Sequence, residues 1–324
     1  TPKQLAPSQT MPVWEQRMNY WGFSDHGNYY FAPKSAYAAG SHASFSVKSI
    51  LDEKATLDNI LKELAGLKNA TCHGDTVLVS FSCHGQQMIA VGKEESDSLD
   101  EALIPYDAKV KYSSDYHGEN HLRDDVLSEH IFRLREAAGS DGLVIVLLDA
   151  CHSGDSFRDT KEMENFRGGY PVFGPDSTVR AVHKDLKNVV GVAKSDGISD
   201  VLFMSACQSY QLNAEYKVSE DKWYGSLTYA FIKAYEKDGL NSLPSLCADI
   251  RSYVESFNKS TRQSPEFATT IDALQMLEEK PDTTIVETDD CGNHDGADTQ
   301  IYWIVGLAIL LAVIIIVFYL WKKK

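Results

Sequence analysis

The stretch VIVLLDACHSGDS, residues 144–156, runs five apolar side chains straight into an acid, a cysteine, a histidine and a glycine. An apolar run without alternation reads as a strand covered on both faces. Its end in Asp149, Cys151, His152 and Gly154 sets reactive groups at a strand terminus, where parallel α/β sheets gather their ligands. Two other apolar runs end alike. VLVSFSCHGQQ (77–87) passes through Ser82, Cys83, His84 and Gly85, and DVLFMSAC (200–207) ends in Ser205 and Cys207.

Helical patterns alternate with these runs. FSVKSIL (45–51) reads as a short strand. Thr56 then caps a helix whose Ile60, Leu61, Leu64 and Leu67 fall at helical spacing. DDVLSEHIFRLREAAG (124–139) reads as a helix with Val126, Ile131 and Leu134 inward and Gly139 beyond its end. GSLTYAFIKAYEKDG (225–239) and SLCADIRSYVESF (245–257) read as two more. The expected fold class is α/β, a mostly parallel sheet with helices on both faces. Residues 1–45, rich in Gly, Ser, Tyr and Pro, are expected to be irregular, and residues 46–277 to form the folded domain.

Residues 278–300 are polar, acidic and aperiodic, as suits a solvated tether. Beyond them IYWIVGLAILLAVIIIVFYLW (301–321) carries no charge over 21 residues, with aromatics at both ends and a basic tail, Lys322 to Lys324. That length suits a transmembrane helix and a single-pass, C-terminally anchored protein. The basic tail alone favours a cytoplasmic C-terminus, whereas a reactive thiol favours a reducing compartment. A three-residue tail is a weak determinant, so the domain is expected in the cytoplasm. The formal net charge is −15, and without the +3 of the tail the rest carries −18, which argues against nucleic-acid partners and favours cationic ones. Six cysteines are scattered without a C-x-x-C, so neither a disulfide scaffold nor structural zinc is expected.

A thiol nucleophile needs an imidazole to handle protons and amide donors for the oxyanion. Glycines beside both residues let backbone N–H groups approach a substrate carbonyl. The paired blocks VLVSFSCHGQQ and LLDACHSG resemble the histidine and cysteine blocks of the caspase-like cysteine peptidases, on their metacaspase and bacterial branch. The likeness extends through residues 50–75, EALIPYD (101–107), LRDDVL (122–127), SACQSYQLNAE (205–215), YGSLTYAFIKAY (224–235) and RQSPEF (262–267).

The resemblance implies an endopeptidase cleaving after Arg or Lys in protein or peptide substrates, with no obligatory cofactor, and the apolar run 301–321 adds a membrane anchor. Cys151 would attack the peptide carbonyl and His84 would move the protons, with Gly85 and Cys151 N–H groups as the oxyanion hole. Asp149 and Ser82 would line the pocket for the basic residue; the alternative is that Asp149 holds backbone amides. Asp124 and Asp125 match positions that bind activating Ca²⁺ in some metacaspases, or are acids favoured at a helix start.

The sequence also departs from the family pattern. The family opens with an apolar strand and a Cys-x-x-Asp whose acid completes the basic pocket, yet here MNYWGFSDHGNYY (18–30) is polar and no acid occurs between Asp25 and Asp52. Either an internal piece is lost, or the sheet is reduced, or another acid substitutes. Cys83 stands where the family has glycine, and would crowd the dyad or form a redox lock with Cys151. The alternative function is a non-catalytic caspase-like scaffold binding protein partners at a membrane.

Overall fold

The structure, a computed structural model, describes residues 17–24, 44–89, 99–151, 166–168, 170–175, 179–182, 186, 192–209, 211–219, 222–257 and 263–277. All belong to the unit Thr1–Glu279. The strands are β1 (Arg17–Ser24), β2 (Ser44–Leu51), β3 (Thr76–Ser82), β4 (Gly85–Ile89), β5 (Leu99–Leu103), β6 (Leu122–Arg123), β7 (Leu143–Asp149), β8 (Asp200–Ser205), β9 (Glu215–Ser219), β10 (Lys222–Gly225) and β11 (Glu266–Thr269). The α-helices are α1 (Leu57–Ala70), α2 (Asp124–Ala138), α3 (Ser226–Asp238) and α4 (Leu243–Phe257).

Six strands make the central sheet in the order β11-β8-β7-β3-β1-β2. All its pairings are parallel except that of β11 with β8. Successive side chains of a strand point to opposite faces, and the core divides accordingly. Val77, Val79, Phe81, Val144, Val146 and Leu148 pack with Ile60, Leu64 and Leu67 of α1 and Leu127, Ile131 and Leu134 of α2. Leu78, Ile145, Leu147, Leu202 and Met204 pack with Leu227 and Phe231 of α3 and Ile250 and Val254 of α4. The expected sheet with helices on both faces is thus present.

Two expectations need correction. Arg17–Ser24, inside the segment expected to be irregular, is a strand between β2 and β3, paired parallel to both. Two backbone ladders hold it, so no apolar run is required. In α2 the buried apolar positions are Leu127, Ile131, Leu134 and Ala138, so Ile131 and Leu134 face inward as expected, whereas Val126 is 36% exposed and Leu127 takes its place.

The predicted tether 278–300, apolar helix 301–321 and tail 322–324 lie outside the described residues. Among the described residues no helix is long and apolar enough to cross a membrane.

Because Leu134 is fully buried between α2 and the sheet, Leu134→Ala is expected to cost about 2–5 kcal/mol. Val126→Ala should stay within about 0.5 kcal/mol. Urea unfolding of both variants checks the corrected helix face, and equal losses would refute it.

Candidate active site

Register brings the two reactive residues together. In the parallel pair β3–β7, Ser82 stands opposite Asp149, and the ladder continues through Cys83 N–H donating to the Asp149 carbonyl at 3.3 Å. His84 and Cys151 each lie two residues beyond that pair, past the ends of two adjacent strands of a sheet whose neighbours run about 4.8 Å apart. On the other side of β7, Leu148 pairs with Ser205, and the Ala206 N–H reaches the Leu148 carbonyl at 3.1 Å. The rim therefore presents His84, Cys151 and Cys207 in order across three adjacent strand ends.

Cys151 is almost completely buried and packs with Cys207, Leu212 and half-buried Phe166. Its thiol donates to the Gln211 carbonyl at 2.9 Å, and the Cys207 thiol donates to the same oxygen at 3.5 Å. Cys207 is held well above the usual cysteine range, first by its hydrogen bond with the Cys151 thiol and then by burial. A thiol so held stays protonated and is a poor nucleophile. Cys83 packs elsewhere, in the core layer of α1 and α2 with Leu148 and Ala150. Among the described residues Cys72, Cys83, Cys151, Cys207 and Cys247 form no disulfide, and no cluster of three or more metal-binding side chains occurs. His152 lies outside the described residues.

Asp149 is inaccessible to water. Asn213 Nδ2 donates to its Oδ1 at 2.8 Å, and the Thr228 N–H at the start of α3 donates to its Oδ2 at 2.8 Å. Asn213 Oδ1 in turn accepts from Ser226 Oγ at 3.0 Å and from Gln263 Nε2 at 3.0 Å. Gln263 also donates to the Ala206 carbonyl at 2.8 Å. A side chain at Gly225 would meet Asp149 Oδ2 at 2.0 Å, so glycine is required there by close approach. Sequence reasoning missed Asn213, Ser226 and Gln263 as individuals, although each sits in a block that carries the family likeness.

Ser82 is buried beside this network and accepts from Arg167 Nη1 at 2.8 Å. Gly85 opens β4, paired with Leu103 of β5. The next two residues pin the loops around the rim. Gln86 donates to the Pro171 carbonyl at 2.6 Å, and Gln87 makes paired bonds with the Val182 backbone at 2.7 and 2.9 Å.

A family model described as the caspase domain matches residues 35–275, well over half of the chain. The chain belongs to the caspase-domain family. Metacaspase-2 of Arabidopsis thaliana is 26% identical over 207 residues, covering 63% of this chain and 44% of that protein, so the chain spans less than half of that relative's length. The crystal structure of protein GSU0716 from Geobacter sulfurreducens shares 22% identity, covering 73% of this chain and 82% of that one, with a TM-score of 0.46. At family level this caspase domain is a cysteine-peptidase domain.

The caspase domain places Asp124 and Asp125 in the first turn of α2, where Asp124 Oδ1 accepts from the Asp125 N–H at 3.0 Å. Ca²⁺ takes about six to eight oxygens. Two adjacent carboxylates, one of them turned to its own helix start, do not by themselves fit such a cage, and no step is derived through calcium.

The loop segment 170–175 is fastened to β4 by the Phe173 backbone, which bonds Gln87 and Ile89 at 2.8 and 2.9 Å. Its ring packs on His121 at 4.7 Å, and His121 Nδ1 contacts the Tyr116 hydroxyl at 3.1 Å. Burial, with the Arg123 charge second, pushes His121 down to about 4. The unfolded chain accepts this proton near pH ~6.5, whereas the folded domain resists it. The stability contribution is therefore complete above about pH 6.5 and is lost as pH falls toward 4, roughly 3 kcal/mol in all. Urea unfolding at pH 7 and pH 4.5 should show the wild type losing about 2–3 kcal/mol more than His121→Gln. Equal losses would exclude His121 as the group responsible.

Proposed function

We propose that this caspase domain is a membrane-anchored cysteine endopeptidase that hydrolyses protein or peptide substrates after Arg or Lys. The observation that carries this reading is the β3–β7 register, which sets His84 and Cys151 at equal distances past one paired position. Cys151 attacks the carbonyl carbon and forms a thioester while His84 protonates the departing amine. His84 then draws a proton from water, which releases the acid product and restores the thiol. The Cys151 N–H, with that of Gly85, holds the oxyanion. Ser82 supplies a hydroxyl at the wall of the pocket, and the buried Asp149 charge behind it favours a cation there.

Placement at a membrane rests on the uncharged run 301–321, and a cytoplasmic domain is the side on which the thiol stays reduced. Alkaline carbonate extraction should leave the full chain in the membrane fraction and release a chain ending at Gln300. Release of both would remove the anchor from the proposal.

The activity test uses fluorogenic peptides with Arg, Lys or Asp before the leaving group, in reductant, with and without calcium. Cleavage after Arg and Lys is expected, falling about a thousandfold or more in Cys151→Ala and His84→Ala. Absence of turnover by folded protein would favour the scaffold reading, and cleavage after Asp would overturn the pocket. A calcium requirement would bring Asp124 and Asp125 back as ligands completed by backbone oxygens and water.

A further inference from the structure

Cys207 has no part in the mechanism above, yet it stands beside Cys151. Cys151 lies past the end of β7 and Cys207 past the end of β8, two paired strands of one sheet. Such strands run about 4.8 Å apart, inside the range of roughly 4.4–6.8 Å that separates the Cα atoms of a disulfide. Both thiols turn to one acceptor, the Gln211 carbonyl, at 2.9 and 3.5 Å. Gln211 is itself held in place. Its N–H donates to the Gln208 carbonyl at 2.8 Å, and its Oε1 accepts the Gln208 and Ser264 N–H groups at 3.2 and 3.0 Å. The other described cysteines are elsewhere. Cys83 packs in the layer of α1 and α2, Cys247 in the layer of α3 and α4, and Cys72 is exposed.

A buried thiol is ordinarily inert, because oxidation follows thiolate character and access. Cys151 differs on the peptidase reading: a site that admits a peptide carbonyl also admits a peroxide, and His84 draws off the thiol proton. Cys207, held protonated by its hydrogen bond with Cys151 and by burial, is not the first to be oxidised. A sulfenic acid left alone goes on to sulfinic acid, which thiols do not reduce. A second thiol within reach intercepts it, since proximity offsets a low intrinsic nucleophilicity.

We propose that Cys207 is a resolving cysteine: a hydroperoxide oxidises Cys151, and Cys207 captures it as a disulfide that switches the peptidase off and spares it from irreversible damage. The reactivity of Cys151 in this scheme rests on the peptidase reading above. The Cys151 thiolate attacks one oxygen of the hydroperoxide and the O–O bond breaks. The other oxygen takes the proton held by His84 and leaves as water or an alcohol. The Cys207 sulfur then attacks the sulfur of the sulfenic acid, whose S–O bond breaks, and that oxygen leaves as water with the Cys207 proton. Two thiols have given two electrons to one peroxide, and exchange with a dithiol returns them.

The test treats the reduced full chain, in detergent, with hydrogen peroxide alongside Cys151→Ala, C207S and C207A. It reads peptide mass maps and hydrolysis of an Arg-containing fluorogenic peptide, before and after dithiothreitol. The wild type is expected to yield a linked Cys151–Cys207 peptide, to lose about tenfold or more in rate, and to regain most of it in dithiothreitol. Reduced C207S and C207A should hydrolyse the peptide within about twofold of wild type. After peroxide, both should carry Cys151 two oxygens heavier and recover less than about a third of their rate. No link at Cys207, a link from Cys151 to another cysteine, or equal recovery by wild type and both variants would overturn the inference. A reduced wild type that hydrolyses no peptide yet forms the linked peptide would instead strike the peptidase reading and leave the thiol pair standing.

Discussion

A carboxylate shut away from water, two residues before Cys151, organises the C-terminal half of this domain. Asp149 carries a charge that cannot be buried without donors, because an unpaired ion in the interior costs several kcal/mol. Its donors come from far along the chain. Asn213 follows β8, and the Thr228 N–H belongs to the first turn of α3, whose dipole also favours a negative charge. Gln263, just before β11, closes the arrangement by bonding Asn213, Ser226 and Ala206. One buried acid thus fixes how three later segments seat against the rim.

That constraint has a chemical consequence. The Leu212–Glu215 stretch becomes a fixed edge beside Cys151, because Asn213 is held by its side chain and its carbonyl accepts the Arg167 N–H. The opposite flank is fixed separately, by the parallel register of β3 with β7 and by Gln86 and Gln87 gripping the loops beyond β4. Cys151, His84 and the Leu212–Glu215 edge are therefore set by backbone pairings and buried polar bonds. Loop packing does not have to position them. Preorganisation of this kind is what lets amide donors act on a developing oxyanion without reorganising at the moment of reaction.

How far the amino-acid sequence discloses this differs by element. β3, β7 and β8 are legible because burial on both faces forces uninterrupted apolar runs, and Cys151 and His84 are legible because each sits where such a run stops. β1 is hidden for the converse reason. RMNYWGFS has neither alternation nor an apolar run, and its place comes from ladders to β2 and β3 that lie far from it in sequence. Its presence answers the question of a reduced sheet, since the place between β2 and β3 is filled. On the inward face of α2, Ile131 and Leu134 are legible, but Val126 is taken for Leu127 because both are apolar and only the sheet decides between them. Arg167 is one of several basic residues in its loop, and only its contacts with Cys151, Ser82 and Glu215 single it out.

Asp149 and Glu215 differ in what they can offer a guanidinium. A carboxylate pairs strongly with a guanidinium only if it has oxygens to offer, since charge-assisted bonds are short and directional. Asp149 has committed one oxygen to an amide side chain and the other to a helix start, and withdrawing either would leave a buried donor unsatisfied at about 1–3 kcal/mol. Glu215 is 16% exposed and its Oε1 lies 3.0 Å from Arg167 Nη2. Asp149 is thus spent on holding three segments of the fold together, whereas Glu215 pairs with the buried Arg167 guanidinium.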